Sequence, residues 1–544
     1  MKKQLLFTAL LAAFLSFSQA SLVKDINPGG GSSLPISNFE YSVVNNKLIF
    51  AAAIPSSNNY GNVWVSDGTT SGTSLLHQLI PTGDGYAQDF YYSNNLNKVI
   101  FMGNNGASNT FSVFVTDGTP SGLQSLSGTN YAYLNAQNNT QFPQGFTDFN
   151  GKVFFNQDQT NLSAGFELFS TDGTPSGTGL FKELRTGTFG GNPYEFTVFN
   201  NKLYFVSFDP TSSGFEIWVC DGTAVGTSLF IDINPGTANA LPSELTVFNN
   251  KLYFTADNGT NGRELWTTDG TPGGTYMVLD LYSGSVGSNP TNLTVYNNAL
   301  YFTATHATLG NEIFKLSTSE TMTNLKNINA GNASSSPFNL FVYNSELYFA
   351  ADDGNGVELW KSGGFNANTN KLIDINPTGE SNPGNFCEYN GKLYFVADNG
   401  TNGRELWVTD GSVANTMMVA DINPGSNSSN PNGLVVVNNL LLFAAQNAST
   451  GNELWKYQDP TLSVSNFELT GNEINLYPNP AKDYFELATN LNVEKVELYN
   501  LQGQLVKSFM NQNIYSTNEL QNGMYLVKVF TDKGIVNKTI IKKD

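Results

Sequence analysis

The chain has 544 residues, 40% hydrophobic and 13% charged, with a formal net charge of -19 at pH 7. That length carries a large core or several domains, and the acidity excludes nucleic acid as a partner, because phosphate recognition needs a basic surface. With 52 Gly, 39 Phe and 24 Tyr, the composition suits short strands and tight turns better than helices.

Residues 1–20 read as a signal peptide. Lys2 and Lys3 give a basic start, Leu5 to Phe17 is an apolar run too short to span a bilayer, and Ser18-Gln19-Ala20 sets cleavage after Ala20. No later stretch is apolar for long enough to predict a transmembrane helix. The expected location is extracellular or at the outer-membrane surface.

After that leader the chain reads "SLVKDINPGG" (Ser21 to Gly30), and near-copies return as "LFIDINPG" (Leu229 to Gly236) and "MVADINPG" (Met418 to Gly425). These belong to a longer repeat, clearest in "NNKLYFTADNGTNGRELWTTDGTPGGT" (Asn249 to Thr275) and "NGKLYFVADNGTNGRELWVTDGSVANT" (Asn390 to Thr416). Its central aromatic recurs as Trp64, Phe114, Phe169, Trp218, Trp266, Phe314, Trp360, Trp407 and Trp455, at spacings of 46 to 55 residues. A period near 48 matches blade-forming repeats.

Each unit reads as four strands, exemplified by Glu244 to Phe248, Lys251 to Ala256, Glu264 to Asp269 and Thr275 to Leu281. Asn-Asn and Asp-Gly pairs form the turns, because these residues tolerate positive φ. Leu265 and Trp266 are adjacent and both apolar, so the sheet is expected to be covered on both faces. The last unit ends at "NELWKY" (Asn452 to Tyr457) without a fourth strand, and the spare copy is Leu22 to Asn27. The prediction is an all-β fold: a β-propeller of about nine four-stranded repeats over residues 21–459, closed by the N-terminal strand, which removes both exposed sheet edges. An open or split assembly is the alternative. Cys220 and Cys387 fall four blades apart, too far for a disulfide.

Residues 460–473 read as a linker. From 474 to 544, alternating apolar residues with turns at Asn500 to Gly503 and Lys533-Gly534 predict a small β-sandwich. From Thr461 onward there are eight Lys and nine Asp or Glu, so the acidity, about -20, belongs to the repeats.

The C-terminal stretch resembles the type A sorting domain of the type IX secretion system. The match runs through Tyr477-Pro478-Asn479-Pro480, "VELYNLQGQLV" (Val496 to Val506) with Gly503, "LQNGMYLVKV" (Leu520 to Val529) with Gly523 and Tyr525, and the basic Lys542-Lys543 end. The resemblance implies export across the outer membrane by the type IX machinery, commonly with removal of the domain and release or attachment to surface lipopolysaccharide. Residues 21 to 457 resemble the bacterial ELWxxDGT repeat family. Units two and three depart from its signature with Phe114 and Phe169, and units six, seven and nine place Ser317, Gly363 and Gln458 at the Asp position. This resemblance implies a repeat scaffold and supplies no catalytic residue.

Gly-x-Glu precedes the aromatic in units three to nine, with Glu167, Glu216, Glu264, Glu312, Glu358, Glu405 and Glu453. A residue used seven times is expected to satisfy repeated backbone amides rather than catalyse. Asp67, Asp117, Asp172, Asp221, Asp269 and Asp410 are read as turn residues. The loop "DNGTNGRE" (Asp257 to Glu264, again Asp398 to Glu405) is rich in oxygen ligands, so Asp257, Asn261, Asp398 and Asn402 are candidate calcium ligands, although the EF-hand spacing is missing. His77 and His306 are the only histidines, which argues against multi-His metal sites and His-based triads. Within the longest interval, Tyr131, Tyr133 and Asn135 could form a sugar-stacking platform. The reading is an exported, non-catalytic binding or adhesion module for a glycan or protein ligand. The alternative is a secreted carbohydrate-active enzyme with a carboxylate pair on the loop-rich face.

Overall fold

Asparagine pairs set the hairpins. Asn45-Asn46, Asn200-Asn201, Asn249-Asn250, Asn297-Asn298 and Asn438-Asn439 adopt φ between 44° and 58°, the left-handed region that a two-residue hairpin loop demands. They join paired residues such as Phe248 and Lys251, or Val437 and Leu440. The computed structural model in which this is seen describes residues 20–35, 39–54, 61–80, 85–104, 111–126, 145–158, 165–186, 190–209, 211, 213–459, 474–489, 491–500, 505–510, 512, 514–531 and 534–543. Of the leader expected over residues 1–20 only Ala20 is among the described residues, and the linker over 460–473 lies outside them. The chain divides into two units, Met1–Gln458 and Asp459–Asp544.

The first unit is built from four-stranded antiparallel sheets, nine of them among the described residues. The fifth contains Ser243–Phe248, Lys251–Asp257, Arg263–Thr268 and Tyr276–Leu279, in chain order. The third strand stops one residue short of the expected Asp269, where the chain turns and the Asp269 carboxylate accepts from the amide and hydroxyl of Thr271. The fourth strand is shorter than expected because the Leu281 amide donates to Glu264 instead of to a neighbouring strand. The ninth sheet holds Asn432–Val437, Leu440–Asn447 and Gly451–Tyr457, and its fourth strand is Ser21–Lys24, antiparallel to the third. Here too the strand is shorter than the expected Leu22 to Asn27, since the Ile26 amide turns to Glu453.

In all nine sheets a Phe of the second strand lies directly opposite the marker aromatic of the third. The pairs include Phe50 with Trp64, Phe155 with Phe169, Phe254 with Trp266 and Phe443 with Trp455. Adjacent residues point to opposite faces, and both faces are covered. Leu265 packs toward Leu300 and Phe302 of the sixth sheet, whereas Trp266 packs toward Tyr204 and Ile217 of the fourth. The core therefore sits between sheets. Nine apolar clusters each join two neighbours, and one of them unites Leu48, Phe50 and Trp64 of the first sheet with Val437, Leu442 and Leu454 of the ninth. Polar contacts repeat the same relation. Asn45 Nδ2 donates to Asp117 O, and Asn200 Nδ2 to Asp269 O, each in the following sheet. Asn438 Nδ2 of the ninth sheet donates to Asp67 O of the first at 3.1 Å.

Cys220 is buried, Cys387 is half-buried, and both are free thiols. No helix among the described residues is long and apolar enough to cross a membrane.

The second unit has two sheets around one core. Ile474–Tyr477, Tyr484–Thr489 and Tyr515–Ser516 form the smaller sheet. Leu505–Met510, Val493–Tyr499, Gly523–Thr531 and Gly534–Lys542 form the larger, in that spatial order. Ile474 and Phe485 from one meet Val496, Leu498, Val527 and Ile540 from the other.

Candidate functional site

The repeated glutamate is a loop clamp. Glu405, on the third strand of the eighth sheet, is fully buried. It accepts from the amides of Ile422 at 3.0 Å and Ser429 at 2.8 Å, and from the Ser429 hydroxyl. Those donors begin and end the loop running from the fourth strand to the next sheet. Glu216 receives Ile233 and Ala240, Glu264 receives Leu281 and Ser288, and Glu312 receives Ile328 and Ser335. Glu358 holds Ile375 and Ser381, and Glu167 holds Leu184. Glu453 takes its donors from the N-terminal segment, Ile26 and Ser33, both at 3.0 Å. Loop amides that would otherwise be buried without partners are thereby satisfied. Burial pushes Glu167, Glu405 and Glu453 up to about 7 and Glu216 up to about 8, against the opposing pull of the amides. Glu264, Glu312 and Glu358 are raised for the same reason.

The Asp-Gly-Thr turns consume their carboxylates as well. Asp67, Asp117, Asp172, Asp221 and Asp269 each accept from the amide and the hydroxyl of the Thr two residues on. Asp410 does the same with Ser412. These hydrogen bonds, the side-chain one foremost, hold the carboxyls below their ordinary value.

In the two "DNGTNG" loops the candidate calcium ligands lie close to donors of their own surroundings. Asp257 Oδ1 accepts the Gly259 amide, Asn261 Oδ1 accepts Asn258 Nδ2, and Asn261 Nδ2 donates to Asp280. Asp398 and Asn402 repeat this with Gly400, Asn399 and Asp421. Among the described residues, no group of three or more His, Cys, Asp or Glu is placed to hold a metal ion. Gly262, at φ +68°, lets the loop approach the next one closely: a Cβ there would stand 2.5 Å from the Gly287 nitrogen. Tyr131, Tyr133 and Asn135 lie outside the described residues, and so does Gly503.

A row of polar residues on the first strands has no sequence motif of its own. Asp89, Glu195, Glu244, Asn292, Asn339 and Asn385 share a position, and each has positive φ. First strands of neighbouring sheets pack against one another, so these side chains reach across. The Leu293 amide donates to Glu244, the Leu245 amide to Glu195, and the Asp89 amide to Glu40. Burial, with the Glu40 charge adding to it, pushes Asp89 up to about 7, and Glu195 is raised by burial with Glu244 adding. The signal that could have found this row is a polar residue at the second position of the first strand, as in these six of the nine sheets.

In the C-terminal unit the Tyr477 to Pro480 segment is stapled to the last strand. Asn479 donates through Nδ2 to Thr539 O and accepts the Ile541 amide at Oδ1, both at 3.0 Å. Ala481 N donates to Ile541 O, and Lys543 N to Ala481 O. The peptide bonds before Pro478 and Pro480 are cis. The two terminal lysines differ. Lys542 is 5% exposed, with its ammonium on the Lys482 carbonyl, while Lys543 is exposed. Tyr525 is buried and its hydroxyl donates to Gln521 O, whereas Tyr477 is exposed and bonds Glu486.

No curated protein matches the chain. Among solved structures, PorZ, an essential surface component of the type IX secretion system of Porphyromonas gingivalis, is similar at 15% identity and a TM-score of 0.32, covering 93% of this chain and 75% of PorZ. The extracellular domain of BT4673 from B. thetaiotaomicron is similar at 11% identity and TM-score 0.31, covering 95% and 76%. A puromycin hydrolase is similar at 8% identity and TM-score 0.39, and the chain spans 61% of its length. Likenesses at this level carry no activity across. Residues 475–543 match the family described as the secretion system C-terminal sorting domain, and this domain marks the chain for type IX export to the cell surface or extracellular space.

Proposed function

We infer that the first unit is a closed ring of nine blades and that it serves, once exported, as a non-catalytic binding or adhesion scaffold. The N-terminal strand, the apolar cluster joining first and ninth sheets, and the Asn438 to Asp67 bond support closure. The observation that carries the functional reading is the fate of the repeated carboxylates. The Gly-x-Glu residues are turned inward onto loop amides and the Asp-Gly residues onto their own turns, so the recurring polar chemistry builds the scaffold and leaves the loops to carry recognition. A signal peptide over residues 1–20 and attachment to surface lipopolysaccharide belong to this proposal. Cells producing the full chain should display it to external antibody, and cells producing a variant lacking 475–543 should retain it inside. Equal display of both variants would overturn the export part, and an exported chain that binds neither cells nor arrayed glycans and proteins would overturn the scaffold part.

The row of first-strand carboxylates favours one second reading. Asp89, with a carboxyl raised to about 7 beside Glu40, has the poise of a general acid. Hydrolysis of a polysaccharide that is lost in Asp89→Asn would establish a carbohydrate-active enzyme instead.

A further inference from the structure

The repeat is broken in two consecutive units, and the breaks meet. In the sixth unit Ser317 to Glu320 replaces the Asp-Gly-Thr turn, and Glu320 is drawn to the fifth sheet by Lys251 Nζ at 2.6 Å, Tyr276 OH at 2.6 Å and Tyr253 OH at 2.9 Å. In the seventh, Gly363-Gly364-Phe365 stands there. In units one to five and eight the third residue of the turn is Thr or Ser, whose hydroxyl closes the turn onto the Asp. Here Asn368 closes it, with Oδ1 accepting the Phe365 amide at 2.9 Å. The backbone of Phe365 stays in the turn, but its side chain has no part in closing it, and the residue is 63% exposed.

Between these turns lies a cleft of about 350 Å³, lined by Lys315, Ser317, Thr321, Thr323, Asn324 and Phe365. Leu325, Gly364 and Asn366 complete it. Lys315 Nζ sits 4.8 Å from the Phe365 ring centre and donates to Gly364 O at 3.1 Å, which steadies the ring through a cation–π contact. Leu325 adds to an otherwise mainly apolar wall, and the hydroxyls and amides of Ser317, Thr321, Thr323, Asn324 and Asn366, groups that both donate and accept, form its smaller polar part. Asn324 spends its Nδ2 on the Ile313 carbonyl.

We propose that this cleft binds a neutral saccharide. The assignment rests on the binding-scaffold reading and names its ligand class. A sugar presents an apolar C–H face and a rim of hydroxyls. Phe365 supplies a flat apolar platform for the first, and Thr321, Thr323, Asn324 and Asn366 supply mixed donors and acceptors for the second. The volume falls within the range of small-molecule sites. The strong negative charge of the repeats disfavours acidic sugars, and the lining cation is already spent on a carbonyl and a ring.

The test uses the purified full chain on an array of neutral and acidic glycans, followed by titration calorimetry with the best neutral oligosaccharide. Phe365→Ala should weaken binding about tenfold or more, Phe365→Trp should retain it within about threefold, and Asn366→Ala should weaken it measurably. Position 365 is exposed, so unchanged circular dichroism will certify the fold. Neutral-sugar binding that Phe365→Ala leaves intact would overturn the cleft while the scaffold reading stands. A preference for acidic glycans, or a blank array, would overturn the saccharide assignment. The scaffold reading itself fails only if the chain also shows no saturable binding to intact cells or to arrayed proteins.

Discussion

Glu453 Oε2 accepts the backbone amide of Ile26 at 3.0 Å, across 427 residues of sequence. The equivalent contact inside the repeat, Glu405 with Ile422, spans 17 residues at the same 3.0 Å. One local device is thus used seven times, and its last use fastens the start of the repeat region to its end.

Glu405→Ala leaves two buried amides and a hydroxyl without their acceptor, which should cost about 3 kcal/mol. Glu453→Ala should cost a similar amount and also free the N-terminal strand. Urea unfolding measures the first effect. Limited proteolysis reads the second, as early cutting near residues 24–33 in Glu453→Ala that is absent in Glu405→Ala.

Stability should depend on pH with a definite sign. The clamping carboxyls titrate higher in the fold than their ordinary value of 4.5, Glu216 reaching about 8. Their contribution is therefore complete below that ordinary value and is lost as pH rises toward 8. The turn aspartates are shifted downward, so theirs is present above about 4 and lost in stronger acid. Thermal unfolding should give the highest Tm near pH 5 and a lower one at pH 9. A Tm that rises from pH 5 to pH 9 would show that the amide bonds outweigh burial.

Both thiols should be poor nucleophiles. Burial pushes Cys387 up to about 11, with Glu388 adding, and raises Cys220 as well, so the thiolate fraction at neutral pH is small. Iodoacetamide at pH 7 should modify the folded chain slowly at both positions and the urea-unfolded chain quickly. Rapid labelling of folded Cys387 would contradict the packing described.

Asn479→Ala removes both bonds that tie the Tyr477 to Pro480 segment to the last strand. The segment is exposed, so the stability loss should be modest, about 1 kcal/mol, yet surface display should fall because the exposed prolines lose their fixed position. Lys543→Ala should leave the domain fold untouched, while Lys542→Ala should lower its stability, since only Lys542 is buried. Thermal unfolding and surface labelling separate the two effects.

Much of the architecture was legible because one sentence is repeated with few changes. The Asn pairs, the "ELW" strand and the "DINPG" segment each name a fixed structural duty, and the unpaired first copy at Ser21 names its partner. Strand ends were less legible. Thr268 and Leu279 end their strands where the chain turns and the Thr271 and Leu281 amides donate to Asp269 and Glu264, and only the folded loop brings those donors near. The first-strand row of Asp89, Glu195, Glu244, Asn292, Asn339 and Asn385 was missed because residue type varies along it while backbone conformation does not. Phe365 carries no signal in the sequence beyond unit seven's departure at Gly363, although that departure is what exposes it. The unlike fates of Lys542 and Lys543 depend on a carbonyl 60 residues away.

The most direct test of the scaffold reading is to expose the purified full chain to a panel of glycans, polysaccharides and arrayed proteins and to weigh every captured ligand by mass spectrometry. A non-catalytic module predicts saturable capture with ligand mass unchanged after prolonged incubation. Progressive cleavage of a captured polysaccharide, abolished in Asp89→Asn, would contradict it.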